Sequence, residues 1–195
     1  MTGFPSPFSD SVNDIFDEYD EFVPEHIPEP GPFLEDHDVL ADEQHVAFHE
    51  LTKELFEERG VYDMTFNYNL AQLNLDHRQP GAGYRYAEET DDQSILRAEF
   101  TPTTPFCPQS HTLTIGSFRA WNGEIECLDY DLVRVHVHPM HHQSAAINEQ
   151  LDELEIKYLE TGSVMVTLEN SRIGSNPMER AMREEGPSRG PQSPF

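Results

Sequence analysis

Apolar positions recur along this chain at two periods, and the switches between them predict its elements. Over residues 42–59 the spacing is helical: Phe48, Leu51 and Leu55 form an apolar stripe, Asp42 stands at the N-cap position and Gly60 stops the run. From 61 to 70 the period becomes two, with Tyr62, Met64, Phe66, Tyr68 and Leu70 sharing one face, the pattern of a half-buried strand. Gln79-Pro80-Gly81 reads as a turn and Tyr84–Ala87 as a short strand. Residues 94–101 alternate again, with Leu96, Ala98 and Phe100 facing one way. A loop, 102–108, leads into a predicted helix over 109–121. Residues 131–138 read as a strand with Val133, Val135 and Val137 on its core face. Ser144 then caps a last helix whose stripe is Ile147, Leu151, Leu154 and Tyr158. The order helix, strands, helix, strand, helix predicts a small α+β domain with helices packed on a short sheet.

The flanks read differently. Residues 1–34 contain six prolines and a dense acidic run, a composition that cannot bury enough apolar surface to fold alone. They are predicted to be a disordered acidic arm, within which Val12, Ile15, Phe16, Tyr19 and Val23 recur at the spacing of a short amphipathic helix. Residues 174–195 are Gly, Pro, Ser and charge, and read as a disordered tail. The domain is thereby bounded to 35–173.

Charge narrows the partners. The 195 residues carry 37 Asp or Glu against 12 Lys or Arg, a formal net charge of -25. A field of that sign repels phosphates and anionic head groups, so no nucleic-acid or membrane partner is expected. Of the 25 net charges, 14 fall in residues 1–50, which hold no Lys or Arg. The rest of the chain is acidic too, and its only lysines are Lys53 and Lys157. Acid spread so widely reads as halophilic adaptation: in molar salt the Debye length falls to about 3 Å, and the charge serves mainly to hydrate the surface. No run of about 20 apolar residues suits a membrane span, and the first residues lack the basic and apolar regions of a signal peptide. Two cysteines, Cys107 and Cys127, are too few for a disulfide framework. Together these point to the cytoplasm.

Candidate chemistry concentrates at Glu99-Phe-Thr-Pro-Thr-Thr-Pro-Phe-Cys107-Pro. Pro102 and Pro105 fix their own φ and restrict the residues before them, so the loop is stiff. Pro108 suits a first helical turn, which would set Cys107 near the N-cap, where unpaired amides favour a thiolate. Such a cysteine is either a ligand or nucleophile or, equally, an inert buried thiol.

These residues carry a resemblance. Ala98–Pro108 followed by Thr112-Leu-Thr-Ile-Gly116 resembles the signature of the SufT/PaaD-like family of small iron–sulfur assembly proteins, which includes the targeting subunit of the cytosolic iron–sulfur assembly machinery. A second block, Val135-His-Val-His-Pro139 leading through His142-Gln-Ser144 to Ile147–Leu151, is similar to that family's strand, its proline and histidine turn and the start of its last helix. The match covers roughly residues 94–152. It implies a compact α+β domain, a non-enzymatic role in iron–sulfur cluster assembly or targeting, and a functional thiol at Cys107 that engages a cluster, iron or a client. Thr101, Thr104 and Thr112 would support the loop, and His142 would face it. Partners would be iron–sulfur clients or assembly proteins. Since clusters typically take four protein ligands, one signature cysteine implies transient binding of iron or a cluster, or a cluster bridging a homodimer.

The histidines offer an alternative. Residues 136–142 hold four of them, and His136 and His138 alternate off the valine face, beside Arg134. With Cys107 and His142 they make a candidate metal set, with zinc as the alternative ion. His45 and His49 add an i, i+4 pair on a predicted helix. A His-rich divalent-metal enzyme is therefore a second reading, against a plain solvated histidine rim. An adaptor that recognises partners through its acidic arm is a third. No GxGxxG, Walker loop, HExxH or nucleophile elbow is present.

Overall fold

A computed structural model describes residues 15–165. The fold is α+β: three long helices on a mixed four-stranded sheet, with a two-residue ladder beside it. In chain order the elements are β1 (Asp38–Val39), α1 (Asp42–Arg59), β2 (Tyr62–Asp63), β3 (Tyr68–Asn69), a 3₁₀ helix (Leu70–Leu75), β4 (Gly83–Glu88), β5 (Ile95–Thr101), α2 (Ser110–Gly123), a 3₁₀ turn (Ile125–Cys127), β6 (Leu132–Val137) and α3 (Ser144–Thr161). The sheet order is β1-β4-β5-β6. β4 runs antiparallel to β5. β5 and β6 are parallel, which needs a crossover, and α2 supplies it.

The core lies between one sheet face and the helices. Tyr84 and Tyr86 of β4, Leu96, Ala98 and Phe100 of β5, and Val133, Val135 and Val137 of β6 are all buried. Trp121 of α2 sits at the centre, its ring centroid 5.0 Å from both Tyr84 and Phe56. Ile147, Leu151 and Leu154 bring α3 in along its predicted stripe. On α1 the buried face is His45, Phe48, His49, Thr52, Leu55 and Phe56, whereas the predicted stripe member Leu51 is 40 % exposed. Polar residues thus complete the inward face of α1. Thr52 donates to Phe48 O at 2.9 Å and accepts from Trp121 Nε1 at 3.1 Å.

Three asparagine side chains finish the sheet by imitating strands. Asn74 accepts from Tyr84 N and donates to Tyr84 O, both at 2.7 Å. Asn122 does the same for Val133 at 2.9 and 2.8 Å, and Asn148 for Val137 at 2.7 and 3.0 Å. An amide carries the donor and acceptor of a peptide group, so each one satisfies an edge residue and blocks further strand pairing.

Several expectations are corrected. The strand over 61–70 is two short strands folded on each other. Asp63 Oδ1 accepts from Thr65 N at 2.7 Å and Phe66 N at 3.3 Å, and Asn67 takes a positive φ of 58°, so local side-chain bonding reverses the chain and leaves Met64 exposed. Neither Asp42 nor Ser144 caps its helix: the N-cap positions are Ala41 and Gln143, without side-chain bonds. The short strand at 84–87 extends over 83–88.

The largest correction concerns the acidic arm. Residues 15–34 form no helix and are not detached from the domain. Phe16 bridges Asp76, and Ile27 and Leu34 are buried. The second face of the sheet is charged, carrying Arg97 and Glu99 of β5 opposite Arg134 and His136 of β6. The segment at 31–33 crosses that face. Glu99, 1 % exposed, accepts from Gly31 N at 2.6 Å and Phe33 N at 3.2 Å, while the Phe33 ring stacks on His136 at 3.9 Å and lies under Arg97 at 4.7 Å. The like charges Arg97 and Arg134 are adjacent in register because Glu89 Oε1 accepts from both, at 2.9 and 2.6 Å. The arm's own composition cannot fold it, but the sheet supplies the surface it buries against. The predicted helix position Val12 and the predicted tail at 174–195 lie outside the described residues.

Candidate functional site

β5 ends at Thr101, and the chain then runs through Pro102–Gln109 before α2 begins at Ser110. Cys107 sits in this loop, half-buried, two residues before the N-cap Gln109. The expected place beside the helix amides is therefore corrected: Pro108 and Gln109 are a turn rather than a first helical turn. The backbone at Cys107 is fully engaged. Its N–H donates to Thr104 O at 3.3 Å, and its carbonyl accepts from Ser110 N at 3.4 Å and from His141 Nε2 at 3.0 Å.

The loop is clamped from two sides. On one, Gln109 reaches the β2–β3 turn, accepting from Met64 N at 3.0 Å and donating to Thr65 Oγ1 at 2.6 Å. On the other, the turn after β6 docks on it: His142 donates from its backbone N at 3.0 Å and from Nδ1 at 2.7 Å to Pro105 O. His141 is 2 % exposed and its Nδ1 accepts from Gln143 N at 3.2 Å, which leaves Nε2 as the donor toward Cys107 O. Phe106, 72 % exposed, packs its ring 5.0 Å from His142. The Cys107 thiol is thus free and half-buried on a backbone that is bonded on both sides.

The family model described as Domain of unknown function (DUF7998) matches residues 14–165, more than three quarters of the chain. The chain belongs to this DUF7998 family. No curated protein matches it. The DUF7998 match begins at residue 14, so the packed segment at 15–34 falls inside the family region together with the sheet it covers.

The predicted site residues divide accordingly. Cys107 and His142 are brought together through Pro105. Thr101 ends β5, buried, and Thr104 gives the loop its carbonyl. Thr112 does not support the loop: it lies exposed on α2, lining a cleft with Val61, Tyr62 and Gly116 on the side of α1. His136 and His138 do not join Cys107. His136 Nε2 bonds Asp152 Oδ1 at 2.7 Å beneath Phe33, and His138 Nδ1 accepts from Met140 N at 3.0 Å. The four candidate ligands form no cluster among the described residues. Strand alternation sends His136 to the charged face, and the following turn carries His142 toward the loop.

His45 and His49 are core residues. His49 Nε2 donates to Ala71 O at 2.9 Å and its Nδ1 accepts from Tyr86 OH at 3.0 Å, so both nitrogens are spent. His45 Nδ1 faces Arg85 Nη1 at 3.4 Å. Burial pushes His49 down to about 4. Burial first, then the charges of His49 and Arg85, push His45 down to about 2. The i, i+4 spacing brought a stacked pair of neutral rings, 5.5 Å apart, to the inner face of the helix.

His141 and Gln109, which with His142 fix the loop, are not marked as site residues by the sequence. No spacing marks Gln109. His141 was counted among the histidines, but its burial is decided by the turn into which Pro139 leads.

Proposed function

We propose that this chain is an iron–sulfur cluster assembly or targeting factor that engages iron, a cluster or a client through Cys107. What supports this reading is one observation: the two blocks that resemble the SufT/PaaD-like family, separated in the chain by residues 117–134, meet in space, with His141 and His142 of the second bonded to Cys107 and Pro105 of the first. Phe106 and Met140, one on the Cys107 loop and one in the turn that docks on it, are exposed apolar side chains suited to a protein client. Cys127 does not complete a ligand set within the chain. It follows α2 whereas Cys107 precedes it, and a helix of 14 residues separates its ends by about 20 Å. A bound cluster is then shared between two copies or passed on. The acidity fits a halophile's cytoplasmic protein, and no described helix is long and apolar enough to cross a membrane.

Anaerobic reconstitution of the full chain with iron and sulfide tests this. Acid-labile sulfide, with the iron that accompanies it, is expected in the wild type, and the sulfide is expected to be absent in Cys107→Ser, with the serine variant still folded. Equal incorporation in both proteins refutes the role of Cys107. A wild type that takes up no acid-labile sulfide refutes the iron–sulfur reading altogether.

A further inference from the structure

We propose that Asp17, His26 and His77 form a binding site for one first-row divalent metal ion, separate from Cys107. Asp17 Oδ2 lies 2.6 Å from His26 Nδ1, and Oδ1 lies 2.6 Å from His77 Nε2. The donor atoms of all three residues fall within 4.8 Å of one another, and the two rings approach to 4.6 Å between centroids. Two imidazoles and one carboxylate gathered this closely are the donor set that suits zinc or ferrous ion while leaving positions open.

Backbone bonds, not the side chains, put the donors in place. Asp17 N donates to Leu75 O and His77 N to Ile15 O, both at 2.9 Å, flanking the Phe16–Asp76 bridge. Gly81 N donates to His26 O at 2.8 Å, which ties the third donor to the turn after the second. The site is therefore organised before any ion arrives, and little conformational entropy remains to be lost on binding.

Electrostatics point the same way. Arg78, next to His77 in the chain, is neutralised by Asp76, which it contacts through Nε at 2.8 Å and Nη2 at 2.6 Å. A divalent ion on one carboxylate and two neutral imidazoles leaves a single positive charge, which the net charge of -25 favours. The Asp17 side chain is 9 % exposed while His26 and His77 are 30 % and 37 % exposed, so the carboxylate is shielded and the histidine side is open to an entering ion. A metal ion takes carboxylate and imidazole ligands in their unprotonated forms, so binding weakens as pH falls. An ion here also ties residues 15–26 to the segment at 75–81, which raises the melting temperature by mass action.

The test is titration of the chelator-treated full chain with Co²⁺, read by its visible d–d bands, and with Zn²⁺, read by calorimetry and Tm. One equivalent of each is expected to bind, with a higher Tm and no thiolate-to-cobalt charge-transfer band, and Cys107→Ser is expected to behave identically. His77→Gln, at an open position, is expected to keep its metal-free Tm and to bind at least about tenfold more weakly. His26→Gln gives the same readout from a second side. Absence of stoichiometric binding in the wild type, a charge-transfer band lost in Cys107→Ser, or unchanged affinity in both glutamine variants overturns the proposal.

Discussion

The buried histidine pair of α1 sets how this protein meets acid. His45 and His49 are 3 % and 2 % exposed and held neutral, with pKa values pushed down to about 2 and about 4. In the unfolded chain an imidazole titrates near 6.5. Above that pH both states are neutral and the pair costs nothing. As pH falls below it, the unfolded chain takes up protons that the folded one refuses, and stability drops by up to about 1.4 kcal/mol per pH unit for each histidine. Between pH 6.5 and 4.5 that amounts to roughly 2.2 kcal/mol each, or about 4.5 kcal/mol for the pair, comparable to the whole stability of many domains. Carboxylates held below their ordinary range, such as Asp17 and Asp76, lose their contribution only at lower pH, whereas Glu155, raised by burial, opposes the histidines in this window, so the difference between wild type and His49→Gln isolates the histidine. Urea unfolding in constant molar KCl, followed by the fluorescence of the single, fully buried Trp121, measures the effect. His49→Gln keeps a donor within reach of Ala71 O and removes one titration, so its stability is expected to fall with pH at about half the wild-type slope. A wild-type stability that stays level from pH 7 to 5, or a slope that survives His49→Gln unchanged, refutes the reasoning.

Three further outcomes follow from the packing. A Cβ at Gly31 would overlap His138 Cδ2 and Glu99 Oε1, so Gly31→Ala is expected to cost about 1–3 kcal/mol and to release the segment at 15–34, seen as early proteolytic cleavage there while the sheet stays protected. Asn122→Ala leaves the buried N–H and C=O of Val133 without partners and is expected to cost about 2–4 kcal/mol in urea unfolding, whereas a loss below about 0.5 kcal/mol would mean that water serves the strand edge as well as the amide does. If the acidity is halophilic, Tm should go on rising with KCl beyond about 1 M, where ordinary screening has saturated; equal stability at low and molar salt would count against it.

The chain's periodicity by itself determined the helices and the three long strands, because a stripe at 3.6 or an alternation at 2 records which side of an element must leave water. That is why α1 ends at Gly60, with a φ of 69°, as the glycine predicted, and why Leu96, Ala98, Phe100 and the valines of β6 face one core. Local chemistry also marked the Cys107 loop, since three prolines and a cysteine between a strand and a helix are visible without a fold. What periodicity does not record is which polar group meets which. The hairpin at 62–69 hides in an alternating run because one carboxylate, Asp63, outweighs the pattern by bonding two amides of its own turn. The i, i+4 histidines look like ligands until Ala71 and Tyr86 take both nitrogens of His49. Residues 15–34 look unfoldable because their composition counts only what they could bury among themselves; the charged sheet face that receives Gly31 and Phe33 comes from strands more than sixty residues away. Asp17 and His77 likewise sit 60 positions apart and meet only because Phe16 pairs with Asp76. Burial is encoded locally, in which residues are apolar, whereas partnership is a property of the closed chain, and every candidate site in this protein is a matter of partnership.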